Sequence, residues 1–335
     1  KKYEDTLYRC SSLRKNRSFK RFQFEPEAMI KAINNVLSPY ADNLTRFFGY
    51  WFKDCIVHNR RVISVIISNQ DGDIKINAKY FVDSSGEIIL ARKAGCGYSF
   101  GADGFEKYNE PGAGEKNNSV NAVSYVFRIE PVEEKNYTDI VPEEYRHADI
   151  SAWKEERMKN TVSCFTAYPN GDINVNMLPT MEGNEYFMLG KDADFIGRAR
   201  VYAYWNYLQN EKRMKGYRLK HIFDAGIRES YRLDGKYILT ENDVRRGLNN
   251  EKFLQKTAAI ADHALDVHGE GHMCKELDEP YIIPIECSVT NEFDNLFVAC
   301  RGASFSHVAS SSIRLTRTML SFGESVGEYI SDLSA

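Results

Sequence analysis

Near the C-terminal end, small, polar and basic residues gather where a strand should turn into a helix. Residues 295–299 read as a strand and Cys300-Arg301-Gly302-Ala303-Ser304 as a turn; His307 then precedes Ser310, Ser311 and Ser312, which open a helix. A helix start presents free backbone N–H groups and the positive end of the helix dipole, which suit a phosphate or the edge of an electron-rich ring. The same residues also make an ordinary capped helix packed on a sheet, and the sequence leaves both readings open. A second cluster is His263, His268 and His272 with Asp262 and Asp266. Its spacings, interrupted by Gly269 and Gly271, are not those of a metal-binding helix, so no metal is expected. The run from Gly95 through Gly97 to Gly101 places its third glycine one residue late for a dinucleotide turn and follows a helix instead of a strand. There is no Gly-x-Ser-x-Gly elbow and no Walker-type loop.

These groups need elements to hold them. Residues 25–38 read as a helix with Pro26 in its first turn and Met29, Ile33, Val36 and Leu37 on one face. The period then changes to two, giving expected strands at 44–48, 51–57, 61–68 and 74–82, with Gln70-Asp71-Gly72-Asp73 as a hairpin turn. A short helix ending near Arg92 should follow Asp83-Ser84-Ser85-Gly86. The Gly- and Asn-rich loop 101–119 suggests a boundary. Beyond it come strands 120–129, 162–168 and 173–178, a long helix from Asp192 to about Met214, and a strand 231–239. Thr240-Glu241-Asn242-Asp243 reads as a capping box. Strands 281–285 and 296–299 and one helix 310–333 complete the chain; Gly323 and Gly327 would let that helix approach another backbone closely.

Composition sets the outer limits. The 335 residues allow about two domains at roughly 150 residues each. The 44 Lys plus Arg balance 47 Asp plus Glu, a net charge of −3, which gives no electrostatic argument for a nucleic-acid or membrane partner. The basic stretch 9–21, with Arg14, Lys15, Arg17 and Lys20, reads as a solvated or internally paired segment. Seven widely spaced cysteines without a Cys-x-x-Cys pair argue against a disulfide framework and fit a reducing compartment, so a cytoplasmic location is expected.

Several segments together resemble FAD-dependent oxidoreductases related to the fumarate-reductase and glutathione-reductase-like flavoproteins. They are 24–29, Phe81-Val82-Asp83-Ser84-Ser85-Gly86 with Ala94-Gly95, Gly226-Ile227-Arg228-Glu229-Ser230-Tyr231-Arg232, 237–243, 265–269, 281–284 and 295–301 through Gly327. The chain departs from the family pattern at Ser84-Ser85, where members usually read Ala-Thr, at Cys300 in place of Gly, and at Glu324 in place of Gln. The resemblance implies an α/β fold with an α+β insert. An incomplete FAD/NAD(P)-binding domain (1–118 and 280–335) would be interrupted by a mixed-sheet substrate or cap domain (119–279). It also implies that the N-terminal glycine-rich βαβ unit is absent, so that this chain loses FAD on purification and leaves a sheet edge open to self-association as a homo-oligomer.

By the same resemblance the cofactor is FAD, the partner is a small-molecule substrate, and the chemistry is hydride transfer between the two. His307, His268, Arg228 and Arg232 become catalytic candidates. Asp83, Gly86, Arg301, Ser304, Ser312 and Arg314 become cofactor contacts. Other readings of these residues stay open: Arg314 as a surface cation, and Arg228 and Arg232 as partners of Glu229 and Asp234. So do two other readings of the chain, a non-catalytic binding or scaffold module that keeps the fold, and a carbohydrate-active enzyme that stacks sugars on its 20 tyrosines.

Overall fold

The computed structural model describes residues 25–211, 214–250, 253 and 256–334. The basic stretch 9–21, Cys10 and Phe24 lie outside the described residues. Helix Pro26–Leu37 forms where the proline and the apolar spacing predict, yet it buries none of its side chains. The expected strand 44–48 is absent: a 3-10 turn, Ser38–Asn43, leads into irregular chain, and Phe47 and Phe48 stay exposed with no strand beside them to pair with.

Trp51–His58 (β1), Arg61–Asn69 (β2) and Gly72–Asn77 (β3) make an antiparallel meander in that order. The turn between β2 and β3 is where the sequence puts it. Asn69 Oδ1 accepts from the N–H groups of Asp71 and Gly72, and Gly72 takes φ +136°, a conformation that glycine adopts freely. The expected strand 74–82 is two strands. After β3 the chain is redirected, and Phe81–Asp83 (β4) belongs to a different sheet. Asn295 stitches that redirection: its Nδ2 donates to Val62 O and Lys79 O, and its Oδ1 accepts from Val62 N. Helix Ile89–Ala94 follows, then the short strand Tyr98–Ser99 (β5).

Val126–Pro131 (β6), Val162–Ala167 (β7), Ile173–Leu178 (β8) and Tyr217–Ile222 (β9) form the largest sheet, in the order β7-β8-β6-β9. Helix Ala193–Glu211 covers it, and Phe127, Val175, Val201 and Trp205 bury one another in a core of their own. The expected strand 231–239 shrinks to Arg232–Leu233 (β10), paired with β5. Asp234 N is taken by Gly97 O and Gly235 N by Ser304 Oγ, which ends the ladder. The capping box forms as expected, with Thr240 and Asp243 exchanging hydrogen bonds.

Thr257–Ala261 (β11) pairs with Tyr281–Pro284 (β14), and Leu265–Val267 (β12) with Met273–Lys275 (β13), so the histidine-rich segment read as a loop is a hairpin. Leu296–Val298 (β15) lies parallel to β4, with Leu296 opposite Phe81 and Val298 opposite Asp83; the resemblance puts 74–82 and 295–299 in one sheet, and this holds for 81–82 but not for β3. A second apolar core joins Val62, Phe81, Leu233, Ile283, Val298 and Phe322. Leu233, Leu239, Val244, Leu265 and Ile283 pack here and not on the four-stranded sheet.

The expected helix 310–333 is two helices, His307–Ile313 and Thr316–Asp332, separated where Leu315 turns extended (φ −68°, ψ 141°). The break lets Arg314 reach Asp266. Gly323 and Gly327 make no close approach, since a Cβ at either would meet nothing within 4 Å. The architecture is mixed helix and strand in small sheets, and among the described residues no helix is long and apolar enough to cross a membrane.

Candidate functional site

The fold brings four ionisable groups from distant parts of the chain together at the start of helix His307–Ile313. Glu229, 1% exposed, accepts from His307 Nδ1 through both oxygens (2.9 and 3.0 Å), from Arg232 Nη1, and from Asn121 N (2.8 Å) and Nδ2 (2.7 Å). Arg232, also 1% exposed, spends its remaining donors on Asp103 Oδ2 (2.9 Å), Gly101 O (2.8 Å) and Phe305 O (3.1 Å). Asp103 accepts in addition from His307 N (2.9 Å) and Lys107 Nζ (2.9 Å). Both carboxylates of this buried set are met by several donors, which is what lets charge sit in a low-dielectric interior.

Burial pushes the Glu229 carboxyl up, but the charges of His307 and Arg232 outweigh it and hold the group down to about 2. An ionised carboxylate only accepts, so the Nδ1 facing it carries the proton. That leaves Nε2, which bonds to nothing among the described residues, as the ring atom free to exchange a proton. His307 lines a cleft of about 250 Å³ together with Asp103, Asn117, Ser119, Glu270 and the backbone of 112–114.

A pH dependence follows from Glu229. Unfolded, the carboxyl protonates near its ordinary 4.5; folded, only near 2. Its stabilisation is therefore complete above about pH 4.5 and is lost as pH falls toward about 2, on the order of 3 kcal/mol in total. Denaturant titrations at a series of acid pH values should show stability falling across that window, with a shallower fall in Glu229→Gln.

The free amides expected at this helix start are filled from within. His307 N donates to Asp103, Ala309 N to the Ser306 Oγ cap, and Ser310 N to Ser306 O. A seven-residue helix so capped offers no anion site of its own, and of its residues His307 alone lines the cleft.

The other expected residues divide. Asp83 is buried with its oxygens taken by Ser85 N, Ser85 Oγ and Ala91 N, so it caps helix Ile89–Ala94. Ser304 Oγ holds Gly235 N, and Ser312 Oγ lies between His263 O and Tyr281 Oη; both are buried and spent on the fold. Arg301 and Gly86 do come together. Gly86 has φ +80°, and a Cβ there would stand 2.4 Å from Arg301 Nη1, so only glycine leaves the guanidinium its place. Arg301 Nε is buried without a partner, and burial lowers the affinity of this guanidinium for its proton.

Arg314 pairs with Asp266 (3.2 Å) and is not a surface cation. Asp266 also accepts from His268 Nε2 (2.7 Å), so His268 belongs to the Asp266 cluster. Among the described residues Arg228 has no carboxylate partner; its Nη1 donates to Ala122 O (2.7 Å) and Ser124 Oγ (2.9 Å). Among the described residues no group of His, Cys, Asp and Glu is placed to hold a metal ion.

The model of the family described as FAD dependent oxidoreductase matches residues 2–331. This chain belongs to the FAD-dependent oxidoreductase family. No curated protein matches it in sequence. Among solved structures, a triple mutant of the flavin-dependent brominase Bmp2 is similar at 11% identity and a TM-score of 0.39, covering 90% of this chain and 56% of that one. Pyridoxine 4-oxidase from Mesorbium loti is similar at 11% identity and a TM-score of 0.29, covering 87% and 58%. The chain thus spans little more than half the length of either, and neither likeness defines the fold.

FAD is the cofactor of the family, and one observation tests whether this chain has a place for it. An orphaned, half-buried guanidinium over a glycine is an incomplete arrangement that a phosphate oxygen completes. Arg301 and Gly86 therefore fit the cofactor. Asp83, Ser304 and Ser312 are buried and bonded within the fold.

Asp103 and Asn121 do not stand out in the sequence, and Glu229 enters there only as an ion-pair partner for Arg228 or Arg232; the pair with Arg232 forms. Glu229 left one trace, a carboxylate three residues before Arg232 in a segment without helical or strand period. Asp103 and Asn121 left none.

Proposed function

We propose that this family member transfers hydride between a small organic substrate and flavin, with His307 as the group that exchanges a proton with the substrate. FAD, when bound, supplies the hydride acceptor or donor. The chain's own contribution is positional and acid–base. Arg301 over Gly86 holds a phosphate of the cofactor. The cleft beside His307 seats the substrate, and Glu229 fixes the imidazole so that Nε2 faces a hydroxyl or amine there. The observation that carries this reading is the Glu229–His307 pair on a residue that lines the cleft, with Nε2 unpartnered among the described residues.

The parallel pairing of β4 with β15 supports reading 1–118 and 280–335 as a cofactor domain around a nucleotide-binding sheet, incomplete in strand number. The separate apolar core of the four-stranded sheet supports a substrate domain within 119–279, with its C-terminal boundary nearer 228 because Leu233 and Ile283 share the other core.

A second reading, a binding module without catalysis, is favoured by the internal satisfaction of Asp83, Ser304, Ser312 and the helix start. One experiment separates the two. The FAD-loaded protein is mixed without oxygen with a panel of small alcohols and amines, and the flavin's visible band is followed. Saturable bleaching by at least one compound supports the oxidoreductase. Bleaching by dithionite alone supports the module.

A further inference from the structure

We propose that Arg228 and Arg314 form a binding site for an oxyanion, the carboxylate or phosphate group of a ligand, beside the β12–β13 hairpin. The argument is a count of charges and donors. Arg228 is anchored through Nη1 alone, by Ala122 O and Ser124 Oγ, while its Nε and Nη2 make no hydrogen bond and are not sealed from solvent. Arg314 gives Nη2 to Asp266 and keeps a buried Nε with no partner. Asp266 contacts Arg314 and acts on Arg228 only through space, and its Oδ2 is shared with His268 Nε2. Glu229 is near enough to act on Arg314 electrostatically, but its oxygens are committed to Arg232, His307 and Asn121.

Arg314 therefore has one contacting carboxylate and Arg228 has none among the described residues, so one positive charge is left over in a half-buried place. The strain is visible on Arg228. Burial and the neighbouring Arg314 charge pull its proton affinity down to about 10, with only Asp266 opposing. His263 is pushed the same way, by burial first and then by Arg314 and Arg317. A planar guanidinium held by a backbone carbonyl, with a free N–H edge and a second cation beside it, is the arrangement that binds carboxylate or phosphate in bidentate fashion. An anion there neutralises the surplus charge and occupies the orphaned donors.

Two sources offer such a group, a substrate carboxylate and a phosphate of the cofactor; only the choice between them rests on the flavin reading. The test needs no turnover. Acetate and inorganic phosphate are titrated calorimetrically into the full chain, with and without FAD. At least one should bind, and Arg228→Gln should weaken it tenfold or more, with Arg228→Lys in between. Asp266→Asn should act in the opposite sense and tighten binding several-fold, because it releases Arg314. Arg60→Gln, which alters an exposed pair with Asp294, should change nothing. Should Arg228→Gln fail to fold, the opposite sign of Asp266→Asn still decides. Acetate binding to the FAD-loaded protein assigns the site to a substrate carboxylate; phosphate binding that FAD abolishes assigns it to the cofactor. No binding of either probe, or affinities within about twofold in both Arg228→Gln and Asp266→Asn, overturns the proposal. A chain that binds these anions but never reduces its flavin would sink the proposed function and leave this site standing.

Discussion

Replacing Arg232 by Ala should cost the fold about 3–5 kcal/mol, more than any exposed charge change in the molecule. The side chain was expected to touch substrate, yet it is 1% exposed and its four hydrogen bonds all stay inside the protein. Its removal strands two carboxylates, Glu229 and Asp103, and two carbonyls, Gly101 O and Phe305 O, away from water. Exposed pairs such as Arg60–Asp294 are worth roughly 0–1 kcal/mol by comparison. Denaturant unfolding checks the size, and a cycle with Glu229→Ala checks the cause. The double variant should lose clearly less than the sum of the singles, because removing both partners leaves fewer unpaired charges. A loss below about 1 kcal/mol in Arg232→Ala would mean that water reaches the network.

The second large effect concerns rate. With a compound that bleaches the flavin, His307→Ala should slow the reduction by about 10²–10⁴-fold, the usual contribution of a positioned acid–base group. FAD affinity should stay within about twofold, since the imidazole bonds to Glu229 and opens on the cleft. Glu229 keeps Arg232 as a partner in this variant, so the fold should survive. Added imidazole should enter the vacated space and restore part of the rate. A rate that falls in step with stability, without rescue, would make His307 a structural residue.

Local chemistry was readable from the chain, and long-range pairing mostly was not. The Asn69–Gly72 turn, the Thr240–Asp243 capping box and the strand pair 162–167 with 173–178 depend on residues a few positions apart. The parallel pairing of β4 with β15 followed from the resemblance. What failed did so because a distant partner decided it. Asn295 redirects the chain after β3 from 233 residues away from Val62. Asp266 draws Arg314 out of what would have been one long helix. The partners of His307 lie 78 and 204 positions upstream, at Glu229 and Asp103, and no spacing announces them. Arg228 and Arg232 look alike in sequence, yet Arg232 is locked in a buried ion network and Arg228 is left without a carboxylate partner among the described residues.

The account rests on this chain holding FAD through Arg301, whose buried Nε has no protein partner and whose guanidinium lies against Gly86. Fluorescence titrations of FAD and of riboflavin, which lacks the phosphates, test that directly in the native chain and in Arg301→Gln. The native chain should saturate at one FAD, and Arg301→Gln should weaken FAD tenfold or more while leaving riboflavin within about twofold. Equal affinities for FAD in the two proteins, or equal losses for FAD and riboflavin, would contradict it.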